Sequence, residues 1–145
     1  MTLRAAALPF LFSGLAALGL ALVPTAARAD CLVTGQTPMV IATLYFGETI
    51  GNHGRVTEAQ WADFTAKVIT PTFPDGFTVA DGSGQWMDEK NHETDYDPTK
   101  ILTVAAPKSA ALAGKLLHVM KAYEKAFQQE AVGVTTVDAC AGFDQ

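Results

Sequence analysis

The densest group of potentially reactive side chains is an acidic segment in the middle of the chain. Its metal-binding residue types are Asp88, Glu89, His92, Glu93, Asp95 and Asp97. Hard cations such as Ca²⁺ need about six to eight oxygen ligands from a loop that wraps around them, usually with a glycine at the sharp turn. The spacing here matches no such loop, and no glycine lies between Met87 and Thr99. A solvated hairpin tip over residues 88–99 is predicted, with no metal.

The histidines and serines do not form a recognisable catalytic group. His53, His92 and His118 are far apart, and His118 falls on the polar side of a predicted helix, so neither a zinc site nor a general base is predicted. Ser83 lies in a Gly-Ser-Gly tripeptide that lacks the G-x-S-x-G spacing of a nucleophile elbow. The surrounding DGSGQW sequence is too short for a dinucleotide or phosphate loop. No cofactor and no catalytic residue is predicted.

Two aromatic residues near glycines are the best candidates for a ligand site. Tyr45 lies two residues before a glycine, and Trp86 lies two residues after one. An aromatic side chain with one polar atom is typical of small-molecule pockets and dimer interfaces. Gln85 and Lys100, near the same predicted hairpin, can add polar contacts. We therefore predict Tyr45, Gln85, Trp86 and Lys100 as ligand-binding residues, with packing in the core and at the sheet edge as the alternative.

Cys31 and Cys140 are the two cysteines of the chain. A catalytic redox pair normally has Cys-x-x-Cys spacing, which is absent here. In an oxidising compartment, two distant cysteines near the ends of a domain predict a disulfide. In the chain-entropy description, closing so long a loop stabilises the fold by about 4 to 5 kcal/mol.

Residues 1–29 have the composition of an export signal. Arg4 precedes an apolar stretch from Ala5 to Val23, and Ala27-Arg28-Ala29 has the small-x-small pattern that signal peptidase cleaves. The stretch is also long enough to anchor the chain in a bilayer of about 30 Å. Its prolines and glycines favour cleavage instead. We expect a cleaved signal peptide, a periplasmic or secreted protein, and no membrane association after cleavage.

Composition limits the function of the remaining residues, 30–145. They are enough for one domain with a single core. The whole chain has a net charge of −5 and a pI near 5.0. Nucleic-acid binding depends on clustered Lys and Arg, and no basic run exists, so a nucleic-acid partner is excluded.

Hydrophobic patterning predicts four strands and two helices in the order β-α-β-β-α-β. The capping-box spacing of Thr57 and Gln60 marks the start of the first helix. Glycines 82 and 84 inside a strand pattern indicate a bulge or a close backbone approach. The strands are predicted at residues 39–46, 77–86, 101–106 and 131–137, and the helices at 57–71 and 109–128.

This order with right-handed crossovers predicts an α+β, ferredoxin-like split β-α-β sandwich, with two helices on one face of a four-stranded antiparallel sheet. Strand alternation divides the side chains between two faces. The residues predicted to face the helices are Leu44, Phe46, Phe77, Val79, Leu102, Val104, Val132 and Val134. The other face is small and semi-polar: Thr43, Tyr45, Thr78, Ala80, Thr103, Ala105 and Thr135. Such a face can lie open to water, cover a ligand or pair with a second copy as a homodimer.

Several unlike motifs recur here in a characteristic order: YFG at residues 45–47, ITPTFPDGFTV at 69–79, DGSGQW at 81–86, the pair Thr99-Lys100, and a long helix with Tyr123 and Phe127. In this respect the chain resembles the exported bacterial family of domain of unknown function 3574, from about Cys31 to Cys140. The resemblance implies a small secreted or periplasmic domain whose role is not established. The hairpin is longer and more acidic than the family pattern.

Two classes of function follow. Without an acid-base or nucleophile group, the sequence favours a non-catalytic exported domain that binds a small molecule or a protein partner. The alternative, by architectural analogy, is a small dimeric ferredoxin-like enzyme that holds an apolar substrate in a cavity between sheet and helices. A cavity beside Tyr45 and Trp86 with a convergent ionisable group would favour the enzyme. A cation-dependent module at the acidic tip is a third, weaker idea.

Overall fold

The computed structural model describes residues 31–51, 54–87 and 92–142. The strands are β1 (Thr37–Gly47), β2 (Thr78–Met87), β3 (Thr94–Ala106) and β4 (Gly133–Ala141). The first helix, α1, consists of an α-helical part (Glu58–Phe64), a π-helical part (Thr65–Ile69) and a last α-helical turn (Thr70–Thr72). The second helix, α2, spans Ala110–Phe127.

The four strands form one antiparallel sheet in the order β2-β3-β1-β4. Both helices pack against the same side of β1, where Phe46 contacts Trp61 of α1 and Tyr123 of α2 with ring centroids 5.4 and 4.8 Å apart. The predicted fold class, a ferredoxin-like sandwich, is confirmed. Its central strands, β1 and β3, contribute Leu44, Phe46 and Leu102 to the fully buried core.

The first helix begins as its capping box predicts. The Thr57 hydroxyl accepts from the Gln60 N–H, and the Gln60 side chain accepts from the Thr57 N–H at 2.9 Å. The first helix was predicted to end at Pro71 but ends one residue later, at Thr72, because Pro71 is tolerated within the last turn. In α2, Ser109 caps the first turn, and Leu112, Leu116, Val119, Tyr123 and Phe127 form the buried stripe.

Gly82 and Gly84 mark a close approach and not a bulge. Residues of β2 and β3 pair one to one without interruption from Thr78–Thr103 to Met87–Thr94. A Cβ atom on Gly82 would lie 2.7 Å from Cδ1 of Ile101. The two glycines leave room for the side chains of Ile101 and Thr99, which lie over the backbone of β2.

Two strand boundaries differ from the prediction. β3 begins at Thr94, so residues 94–99 of the predicted polar tip are strand. The prediction that this whole segment is solvated is wrong at Asp97, which is buried because it accepts hydrogen bonds from backbone N–H groups next to β1. β4 runs on to Ala141, beyond the predicted end at residue 137, because it pairs with the start of β1. There the predicted disulfide is confirmed: Cys31 and Cys140 are joined, with their Cα atoms 5.6 Å apart.

Some predictions lie outside the described residues: the signal peptide at 1–29, His53, Asp88 and Glu89. None of the helices in the described parts of the chain has both the length and the apolar character needed to cross a bilayer.

Candidate functional site

The sheet side away from the helices carries a continuous uncharged surface, which we call the open sheet face. Cross-strand neighbours point to the same side, so register assigns its members. Thr135, Thr43, Thr103 and Thr78 are successive neighbours and form a row across all four strands. The members on either side of this row are Ile41, Tyr45, Ala80, Ile101, Ala105 and Val137.

The open sheet face combines apolar side chains with hydroxyl groups and has no charged member. Val137 is 58% exposed and Tyr45 is also exposed. The Tyr45 ring lies over Gly133 of β4, with Cδ2 3.3 Å from the position of a Cβ atom there. Leu44 is buried, as expected for a residue predicted to face the helices. Its register partner Val134, for which the same prediction was made, is exposed because β4 is an edge strand.

Trp86 lies on a two-stranded extension of the sheet, which we call the hairpin arm, formed by residues 84–87 and 94–97. β1 ends at Gly47, opposite Thr99, so the hairpin arm pairs only with itself. Trp86 is exposed on the side that continues the open sheet face, while Met87 and Tyr96 are exposed on the other. The hairpin arm thus presents large apolar side chains on both surfaces.

Tyr45 and Trp86 do not share a pocket within one chain. Tyr45 lies opposite Ile101, and Trp86 lies opposite Asp95, six residues earlier on the same strand. At about 3.4 Å per residue this is a separation of roughly 20 Å along the sheet. Gln85, being adjacent to Trp86 in the strand, points to the opposite side of the hairpin arm.

Lys100 lies on the helix-bearing side, away from Tyr45 and Trp86. It is the register partner of Phe46 and Asp81, and its side chain is 6% exposed. Its Nζ atom lies 2.6 Å from both Glu58 Oε1 and Asp81 Oδ1, and 3.8 Å from Glu48 Oε1. These four residues, from β3, α1, β2 and the end of β1, are the Lys100 cluster.

The Lys100 cluster keeps its lysine charged. Hydrogen bonds to Asp81 and Glu58 raise the pKa of the Lys100 ammonium above its ordinary value and outweigh the opposing effect of burial. A nucleophilic or Schiff-base lysine needs a lowered pKa, so this lysine does not serve as one. It can act as a fixed positive charge or as a structural ion pair.

Glu48 is the unusual acid of the Lys100 cluster. It is 9% exposed, and its Oε1 atom is buried with no hydrogen-bond partner in the described chain. Burial raises the pKa of this carboxyl, the charges of Glu58 and Asp81 act in the same direction, and Lys100 opposes them. Clustered ionisable groups with a shifted pKa are typical of functional sites, although structural ion-pair networks show them too.

Tyr123 supports the backbone beside Glu48. Its hydroxyl donates a 2.8 Å hydrogen bond to the Gly47 carbonyl. Burial raises the pKa of this phenol, and the charges of Glu48 and Asp97 add to the effect. Tyr123 therefore stays protonated and fixes the end of β1 where the Lys100 cluster begins.

Comparison with known proteins identifies the family. A family model described as a protein of unknown function (DUF3574) matches residues 42–143. The chain belongs to the DUF3574 family. No curated protein matches the chain significantly.

Two solved structures share the fold of this DUF3574 domain. One is a phage SAM lyase in complex with S-methyl-5′-thioadenosine, with a TM-score of 0.57, 16% identity, and coverage of 81% of this chain and 92% of that chain. The other is a phage SAM lyase in the apo state, with a TM-score of 0.54, 13% identity, and coverage of 82% and 98%. At these identities the likeness establishes a common fold.

The two cavities described for this DUF3574 domain lie away from the predicted ligand residues. One, of about 140 Å³, lies at the start of α2 beside Phe73, Ser109 and Lys115. The other, of about 290 Å³, is a groove between the helices beside Phe64 and Phe127. Neither is lined by any of the four predicted residues.

Metal-ligating groups are also sparse. Within the described segments, no three His, Cys, Asp or Glu side chains are placed to hold an ion together. His92 and Glu93 are two of the metal-binding residue types in the acidic segment. They lie at the far end of the hairpin arm, next to residues outside the described ranges.

Sequence reasoning selected Lys100 but missed Glu48, Glu58 and Asp81. One feature of the sequence pointed to these partners. Lys100, Leu102 and Val104 are every second residue of one strand, so Lys100 lies on the buried side of that strand. A charged side chain at a buried position requires an opposite charge, so partners were to be expected. Their identity depends on contacts between distant parts of the chain, which no local pattern reveals.

Proposed function

We propose that this DUF3574 domain is an exported, non-catalytic binding domain that engages a protein partner through its open sheet face. The observation that carries the proposal is the neutral row of four threonines flanked by exposed Tyr45 and Val137. Exposed apolar side chains that adjoin polar groups are typical of interaction sites. The disulfide is compatible with an oxidising compartment and therefore with export.

The shape of the surface favours a protein over a small molecule. Pockets for small molecules usually enclose about 300 to 1,000 Å³, and the two cavities beside the helices, of about 140 and 290 Å³, lie below or at the lower end of this range. The open sheet face is broad instead. The staggered strands, without the hairpin arm, together cover roughly 500 Å² before side-chain relief is added, and all four lie side by side only at residues 43–45 of β1. That area approaches the roughly 800 Å² per partner of a standard protein interface.

The ionisable groups support a binding role. No carboxylate, amine, imidazole or thiol belongs to the open sheet face, and its one ionisable member is the Tyr45 phenol. The Lys100 cluster is on the other side of the sheet, and its lysine is held as an ammonium group by two carboxylates at 2.6 Å. Such a group stabilises the fold without supplying a nucleophile.

Site-specific photo-crosslinking tests this proposal. A photoreactive amino acid replaces Thr43 in the centre of the open sheet face or, as a control, Leu117, which is 56% exposed on α2. The full chain is expressed in its natural host and irradiated there. We expect a defined protein adduct from position 43 and none from position 117. Equal labelling at both positions, or no adduct at 43, would overturn the proposal.

Glu48 favours a second candidate, an enzyme with Glu48 as a proton-transfer group. A buried carboxyl with a raised pKa can retain a proton to higher pH than usual, and Lys100 supplies a fixed positive charge nearby. The phage SAM lyase structures provide a substrate to try, because they share this fold.

This second candidate is tested with the protein purified after expression of the full chain. Mass spectrometry measures S-methyl-5′-thioadenosine formed from SAM, and calorimetry measures binding of S-methyl-5′-thioadenosine. If the second candidate is correct, the wild-type protein turns over SAM and Glu48→Gln abolishes this turnover. The Thr43→Lys variant, on the opposite side of the sheet, should remain folded. No product from the wild-type protein and no binding heat would eliminate it.

A further inference from the structure

We infer that the partner on the open sheet face is a second copy of this chain, and that the hairpin arm of each copy extends over the other. This inference rests on the proposed function and names its partner. It draws on three independent features: charge, hydroxyl chemistry and exposed apolar area.

Charge restricts how two copies can meet. The chain carries a net charge of −5, so two copies repel each other in most orientations. Exposed carboxylates such as Asp81 and Asp138 lie on the helix-bearing side of the edge strands. The open sheet face has no charged member, whereas the hairpin arm carries Asp95 beside Trp86 on the same side. Two acidic molecules therefore approach at the lowest electrostatic cost through the sheet part of this surface.

The threonine row is complementary to itself. A two-fold symmetric interface places the same patch of both copies in contact. Each threonine hydroxyl is both a donor and an acceptor, so a row of threonines can hydrogen-bond to an identical row. Ile41 and Val137 on one side of the row, and Tyr45 on the other, supply apolar area around this polar centre.

The hairpin arm supplies the area that the sheet lacks. Trp86 points to the same side as the open sheet face and is exposed in the single chain. Residues 94–97 pair with β2 alone, so the hairpin arm extends beyond the sheet and can reach a second molecule packed on that side. Together with roughly 500 Å² of sheet, the hairpin arm brings the contact toward the roughly 800 Å² per copy of a stable dimer.

Sedimentation velocity with matched variants tests the inference. The full chain is expressed, and its purified product is measured from about 1 to 100 µM, because association follows mass action. Val137→Lys places a charge on the open sheet face, and Leu117→Lys places one on α2 at nearly equal exposure, 58% and 56%. Thermal unfolding confirms that each variant is folded.

We expect wild type and Leu117→Lys to sediment as dimers, and Val137→Lys to dissociate at least tenfold more readily. Trp86→Ala, which removes an exposed side chain from the hairpin arm, should weaken the dimer about tenfold. A wild-type monomer at 100 µM overturns the inference, as does equal dissociation of the two lysine variants.

The failures are distinguishable. If the wild type is a monomer and position 43 crosslinks to a different protein, the inference that the partner is a second copy is wrong and the proposed binding role stands. If the wild type is a monomer and position 43 gives no adduct, both proposals are wrong.

Discussion

The carboxylate of Asp97 on β3 binds the backbone of Glu48 at the end of β1. Asp97 Oδ1 accepts hydrogen bonds from the N–H groups of Glu48 and Thr49 at 3.1 and 2.8 Å. A Cβ atom on Gly47 would collide with the same carboxylate. This contact joins the base of the hairpin arm to the centre of the sheet and sets the position of Glu48 in the Lys100 cluster.

Replacement of Asp97 should therefore destabilise the fold. Asp97→Ala removes the acceptor of the half-buried Thr49 N–H, whereas the Glu48 N–H keeps its 2.9 Å hydrogen bond to the Pro98 carbonyl. We expect a loss of about 1 to 3 kcal/mol in the free energy of unfolding. Asp97→Asn keeps one carbonyl oxygen and should lose less. Urea unfolding at neutral pH measures both variants. Equal stability of wild type and Asp97→Ala would show that the contact is not formed in solution.

Removal of Lys100 should cost more than removal of a surface charge. Lys100→Met leaves Glu48 buried without its counter-charge. We expect a loss of about 2 to 3 kcal/mol in the free energy of unfolding. This is below the range for fully buried ion pairs because Glu58 and Asp81 are exposed. Adding Glu48→Gln should restore part of the loss. Urea unfolding of the single and double variants gives the coupling. Strictly additive effects of the two substitutions would contradict a direct interaction between Lys100 and Glu48.

Glu48 should make stability depend on pH in a definite direction. Burial raises the pKa of its carboxyl above the ordinary value of 4.5, so the folded protein holds this proton more tightly than the unfolded chain does. The resulting stability is present below pH 4.5 and is lost as the pH rises through the folded-state pKa. Glu48→Gln should thus gain stability relative to wild type between about pH 4 and pH 7. Urea unfolding across this interval checks the sign, and a relative gain by wild type contradicts it.

The disulfide should contribute strongly to stability. Cys31 and Cys140 enclose a loop with a sequence separation of 109 residues. In the chain-entropy description its removal costs about 4 to 5 kcal/mol. We expect the Cys31→Ser/Cys140→Ser variant to unfold at much lower urea concentration than wild type. A shift below about 1 kcal/mol would mean that the unfolded chain is not restrained by this link.

Local signals predicted those elements whose boundaries are encoded nearby. The Thr57 capping box predicted the start of the first helix, the apolar periodicity predicted the second, and the apolar run before Gly47 predicted β1. The start of β3 depends on pairing with β2 in the hairpin arm, and the end of β4 depends on pairing with the distant start of β1. Their residues are polar or exposed there, so no local pattern marks these boundaries.

The candidate site was harder to predict because it depends on register. Tyr45 and Trp86 are on the same side of the sheet, as strand alternation indicates, yet the β2–β3 pairing places them roughly 20 Å apart along the sheet. Lys100 is on the other side. Its carboxylate partners come from three other elements, which only the folded chain brings together.

Hydroxyl-radical footprinting tests the central claim, that the open sheet face is covered when the protein works. Val137 and Leu117 are exposed almost equally in the single chain, at 58% and 56%, so they form a matched pair. The protein, expressed from the full chain, is oxidised at about 100 µM, where association is favoured, and rates are corrected for intrinsic reactivity. The account predicts that Val137 is protected at least severalfold relative to Leu117. The account is contradicted if the corrected oxidation rates of Val137 and Leu117 are equal, and if they remain equal after any partner identified by crosslinking is added.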